Sequence, residues 1–157
     1  MGTDHPGELA YSTDQCSIVT LGPVFIDVVH QPATAEVMGE IRRRLGVHTR
    51  AYAGKNCTLS VLKASSMGRV NPGVKEEASA MAREIKNLGS AVVIEGSGFG
   101  AAMARTLLTA VYLIGQSSPL KVFKTVEDGA AWLSALLSGE VAAKNIVAVV
   151  DQARRGA

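Results

Sequence analysis

The feature that most constrains the fold of this 157-residue chain is a hydrophobic period that switches repeatedly between strand-like and helix-like. The short run Ala91-Val92-Val93-Ile94 has no polar face, which suits a strand in the middle of a parallel sheet. Before it, Val74, Ala78, Met81, Ala82, Ile85 and Leu88 trace one side of a helix, with Lys75, Glu76, Arg83 and Lys86 mostly off that side. Asn71 is placed to cap this helix and Pro72 to open it, where a missing N–H costs nothing. Gly89 is placed to close it with a left-handed residue. After the run, residues 99–115 are apolar on nearly all sides and read as a deeply packed helix.

The same alternation covers most of the chain. Ile18-Val19-Thr20-Leu21 and Val24-Phe25-Ile26-Asp27-Val28-Val29 flank Gly22-Pro23, which predicts a hairpin with a two-residue II′ turn. Val37, Met38, Ile41 and Leu45 predict a helix of about three turns, with Pro32 near its start and Gly46 near its stop. A polar connection over 47–56 leads to the strand Cys57-Thr58-Leu59-Ser60-Val61-Leu62. Leu120-Lys121-Val122-Phe123 is a further strand. Thr125-Val126-Glu127-Asp128 resembles a capping box opening a helix with Ala130, Leu133, Leu136 and Leu137 inward and Trp132 alongside. Ile146, Val149 and Val150 mark the inner face of a final helix over about 140–155. The predicted fold is one α/β domain over 16–157: an N-terminal β-hairpin, then alternating strands and helices, with a mixed, mostly parallel sheet covered by helices. Residues 1–15 read as a polar, flexible arm.

Composition narrows the function classes. With 47% apolar and 19% charged residues the chain is globular in character. Its net charge of +2 is spread among interspersed acids and bases, so no nucleic-acid-binding stripe is expected. Arg42-Arg43-Arg44 reads as the solvated end of a helix. No segment has the form of a signal peptide or is long and apolar enough to span a bilayer, so a cytoplasmic location is expected. Cys16 and Cys57, each beginning a strand, read as free, buried hydrophobes.

The stretch Glu95-Gly96-Ser97-Gly98-Phe99-Gly100 poses the main functional question. Its G-x-G-x-G spacing departs from the dinucleotide fingerprint, lies at a late strand and lacks a P-loop lysine. A tight turn for close strand–helix packing is the preferred reading, with an anion site as the alternative. In a parallel sheet this loop shares an edge with the one that follows Leu62. Lys63, Ser65, Ser66, Gly68 and Arg69 are therefore expected near Glu95, Gly96, Ser97 and Gly98, together forming a partner- or ligand-binding edge.

Over 16–138 the chain resembles the STAS-like fold of bacterial anti-sigma-factor antagonists, most closely an uncharacterised branch. The residues that carry the resemblance are Ala91-Val92-Val93-Ile94-Glu95-Gly96 and the apolar helix after it, then Leu120-Lys121-Val122-Phe123 and Thr125-Val126-Glu127-Asp128-Gly129-Ala130-Ala131-Trp132-Leu133. The resemblance implies a regulatory domain that binds a protein partner. It also implies a phosphorylation site in the turn after the Cys57–Leu62 strand, where Ser65-Ser66-Met67-Gly68 stands, with Ser66 or Ser65 as acceptor. Ala64 occupies the position of the family's aspartate.

Catalysis has little support in the sequence. None of His5, His30 and His48 adjoins an evident nucleophile along the chain, and no H-x-x-x-H, C-x-x-C or carboxylate cluster has metal-ligand spacing. No cofactor, metal or enzymatic activity is expected. The reading is a non-catalytic interaction domain that engages its partner through the loops after the 57–62 and 91–94 strands. A small-molecule binder, for an apolar or anionic ligand, is the alternative, and self-association through the apolar helix face is a third option.

Overall fold

The hairpin anticipated around Gly22-Pro23 is present and sets the register of the sheet. The computed structural model describes residues 7–66, 72–98, 101, 102, 105 and 118–155. β2 (Cys16–Leu21) and β3 (Val24–Val29) pair antiparallel, with Leu21 opposite Val24 and Gly22 at φ +53. β4 (Cys57–Lys63), β5 (Gly89–Glu95) and β6 (Leu120–Phe123) then add in turn, each parallel to its predecessor. β1 (Glu8–Ser12) pairs antiparallel with β2 at the other edge, so the six strands stand in the order in which the chain makes them. The α/β class and the mixed, mostly parallel sheet follow the sequence expectation.

Right-handed crossovers that always step in one direction place their helices on one face of the sheet. α1 (Ala35–Ala51) and α2 (Pro72–Glu84) accordingly lie side by side on one face. Beneath them, Cys16, Ile18, Phe25 and Val29 from the sheet meet Val37, Ile41 and Leu45 from α1. The opposite face is sealed by the C-terminal pair α3 (Val126–Leu136) and α4 (Ala143–Arg155). There Ile26, Leu59, Ala91 and Val93 bury against Ala130, Leu133, Ile146 and Val150. Thr34 caps α1 through the Val37 N–H, and Thr125 caps α3 through the Asp128 N–H, each at 3.2 Å.

Several boundaries differ from the sequence reading. Residues 8–12, expected within a flexible arm, form the edge strand β1. Arg44 donates to the Ala10 carbonyl at 2.7 Å and lies 5.0 Å from the Tyr11 ring centroid, so α1 holds that strand in place. α1 does not stop at Gly46 but runs on to Ala51, because His48 is buried between the Phe25 and Tyr52 rings. Arg42, Arg43 and Arg44 therefore sit inside the helix; Arg42 bridges to Glu77 and Glu84 at α2, while Arg43 and Arg44 pair with Glu40.

Gly89 is not a helix cap. α2 ends at Glu84, and Gly89 is the first residue of β5, where a Cβ would meet Leu136 and Trp132 of α3. The Asn71 cap lies outside the described residues. So does most of the apolar 99–115 helix, of which Ala101, Ala102 and Arg105 are helical. Among the described residues, no helix is long and apolar enough to cross a membrane.

Candidate binding cleft at the C-terminal edge of the sheet

β4 and β5 end in register, Lys63 opposite Glu95, so the segments leaving them start side by side. After Lys63 the chain makes a single 3-10 turn, Ala64–Ser66. After Glu95 it makes the glycine turn, with Gly96 at φ +139 and Gly98 at φ +90. Side chains rarely adopt either conformation, so glycine is required by the backbone itself. At Gly96 space is limiting too, since an added Cβ would lie 3.3 Å from Ala64 Cβ and 3.5 Å from Ala101 Cβ. At Gly98 a Cβ would meet nothing within 4 Å. The two loops thus touch at Gly96.

Between them lies a cleft of about 530 Å³. Lys63, Ala64 and Ser65 line one side, Glu95, Gly96, Ser97 and Ala101 the other, and Arg154 of α4 reaches in from the last helix. Of the residues expected at this edge, Lys63, Ser65, Glu95, Gly96 and Ser97 share the cleft wall. Ser66 is half-buried and Gly98 exposed, each one residue beyond it, while Gly68 and Arg69 lie outside the described residues.

Among the described lining residues, Lys63 and Arg154 are cationic and Glu95 is anionic. Arg154 Nη2 bonds to Glu95 Oε1 at 2.8 Å, engaging the one carboxylate among the described lining residues. Arg105 Nη1 donates to the Ile94 carbonyl at 3.0 Å and to the Gly96 carbonyl at 3.4 Å, clamping the end of β5. Lys63 stands exposed beside the exposed hydroxyl of Ser65. His30, just beyond the end of β3, has its pKa held below the ordinary imidazole value by burial first, then by the charges of Lys63 and Arg154.

Two contributors were missed in the sequence. Arg154 lies off the apolar face of its helix, and periodicity marks only that face. His30 Nε2 lies 3.0 Å from Ser17 Oγ, which in turn lies 3.2 Å from Ser12 Oγ. The two-residue hairpin turn carries the missed signal, since it fixes Ser17 opposite Val28 and leaves His30 on its diagonal. Ser17 is only 1% exposed, so its hydroxyl does not meet a substrate in this arrangement.

Away from the cleft, the titratable groups of Cys16, Cys57 and Asp27 are enclosed in the core. Cys16 and Cys57 are free, buried thiols, pushed up by burial, Cys57 to about 11. Asp27 is 3% exposed on β3 and accepts a hydrogen bond from Ser60 Oγ at 2.7 Å; burial raises its pKa to about 7. No group of three or more His, Cys, Asp or Glu among the described residues is arranged to hold a metal ion. Comparison with family models, curated proteins and solved structures finds no match.

Proposed function

We propose that this chain is a STAS-like regulatory domain, without catalytic activity of its own, that engages a protein partner in the cytoplasm through the cleft edge. The observation that carries this reading is the convergence of the loops after β4 and β5 on one cleft wall. Binding residues favour loops held by a rigid scaffold at the carboxyl ends of parallel strands, and both loops occupy that position. Ser65, exposed on the wall, is the better placed of the two serines for phosphorylation; Ser66 is half-buried.

The test is a pair of photocross-linking variants, one at Ser97 in the cleft and one at Gly54 at the opposite end of the sheet. The reading expects a discrete adduct in the host at Ser97 and none at Gly54. Adducts at Gly54 alone would move the interface away from this edge.

A second reading has its own observation. A volume of about 530 Å³ falls within the range of small-molecule sites. Native mass spectrometry of the protein from its own host separates the two. A mass that leaves on denaturation marks a bound small molecule, and one that persists and maps to Ser65 or Ser66 marks phosphorylation.

A further inference from the structure

We propose that the cleft between the loops after β4 and β5 is an oxyanion receptor, in which Lys63 and Arg154 together hold a phosphate group. This rests on the reading of the cleft as the docking edge and names the chemistry that it recognises.

The described lining residues favour one class of ligand over the others. The apolar side chains on the described wall are the methyl groups of Ala64 and Ala101, so an apolar ligand has no large surface to pack against. A cationic ligand would be opposed by both Lys63 and Arg154. What remains matches an oxyanion: an ammonium, a guanidinium and two exposed hydroxyls, Ser65 and Ser97. A guanidinium fork fits phosphate oxygens in pairs, and a lysine adds a point charge. Glu95 is the internal competitor. Its carboxylate occupies Arg154 at 2.8 Å, so a phosphate must displace that carboxylate from the fork or share it.

His30 reports on this site from outside it. The groups acting on it come from several elements: Ser17 of β2 on its Nε2, Lys63 from β4 and Arg154 from α4. Both cations bear on one imidazole, so their fields overlap at this edge. A phosphate between them would offset those charges and ease protonation of His30.

The experiment follows the His30 imidazole by NMR through a pH titration of the intact protein, at fixed ionic strength. Inorganic phosphate, O-phosphoserine and acetate are compared. The expected result is a His30 midpoint raised by about half a pH unit or more with phosphate, as for an opposite charge brought nearby. Acetate should leave it in place. A folded Lys63→Gln/Arg154→Gln variant, checked by circular dichroism, should lose the response.

No movement with either phosphate compound overturns the proposal, as does an equal response to acetate. A response that survives in the double variant also overturns it. Half-saturation at a lower concentration of O-phosphoserine than of inorganic phosphate upholds the site and assigns the phosphate to a larger molecule. Equal half-saturation upholds it for the free ion. Loss of the phosphate response with cross-linking retained at Ser97 discards the oxyanion and keeps the docking edge.

Discussion

A methyl group on Gly89 would stand 2.5 Å from Leu136 Cδ1 and 2.8 Å from the Trp132 ring, so α3 rests directly on the backbone where β5 begins. One turn earlier in the helix, a methyl on Gly129 would stand 3.1 Å from Val93 Cγ2, so the contact is close from both sides. Gly89→Ala should cost about 1–3 kcal/mol, the usual range for overpacking. Gly39, inside α1 with nothing within 4 Å of its added Cβ, provides the contrast. Gly39→Ala should stabilise by roughly 0.5–1 kcal/mol through helix propensity. Urea denaturation of both variants checks the pair, and equal effects would refute the close contact.

Asp27 gives the fold a specific pH dependence. Its carboxyl is buried, and its pKa in the folded protein is raised from 3.8 to about 7. A raised carboxyl pKa means that the folded state holds its proton longer than the unfolded state. This contribution is therefore fully favourable below about pH 4 and is lost as pH rises towards 7. The loss is on the order of 4 kcal/mol. His48 and His30 act in the opposite sense, since their depressed pKa values withdraw stability as pH falls below about 6.5. The difference between Asp27→Asn and the parent isolates the carboxyl. It should shift in favour of the variant between pH 4 and pH 8, as measured by denaturation at each pH. A constant difference across that range would exclude a titrating Asp27.

Arg44 ties the edge strand to the first helix through the Ala10 carbonyl and the Tyr11 ring. Arg44→Met keeps the aliphatic stem and removes both attachments. Amide exchange across residues 9–12 should then accelerate, roughly tenfold, while β3 and β4 keep their protection. Unchanged exchange in β1 would show that pairing with β2 suffices to hold it.

Arg42 links α1 to α2 by bonding to Glu77 at 3.1 Å and to Glu84. The site is partly exposed, so salt should screen it. Arg42→Met should lower the melting temperature in dilute buffer, with the deficit closing as salt rises towards 1 M. A deficit independent of salt would place the effect in packing of the side-chain stem.

The helix faces were legible because periodicity alone decides which side is apolar. Val37, Ile41 and Leu45 of α1, Leu133 of α3, and Ile146, Val149 and Val150 of α4 are all buried as expected. The ends of elements were less legible, since distant contacts decide them. Gly46 carries a local stop signal, yet burial of His48 against Phe25 takes α1 past it. Gly89 looked the same in the sequence whether it capped a helix or admitted one, and only the position of α3 tells the two apart. The meeting of Lys63 with Glu95 followed from parallel strands. The arrival of Arg154 and His30 beside them did not, because each comes from a segment far away in the chain.

The sequential strand order has a consequence for how the protein is made. Every strand pairs with its immediate predecessor, so the sheet can grow from one edge as the chain leaves the ribosome. α1 and α2 arrive between the strands and shelter one side as it forms. The other side, with Ile26, Leu59 and Val93, has to wait for α3 and α4, which follow the last of these strands in the chain. A chain ending before residue 126 would therefore hold all six strands and leave one apolar face of the sheet bare. Apolar surface exposed on such an incomplete fold is what drives aggregation.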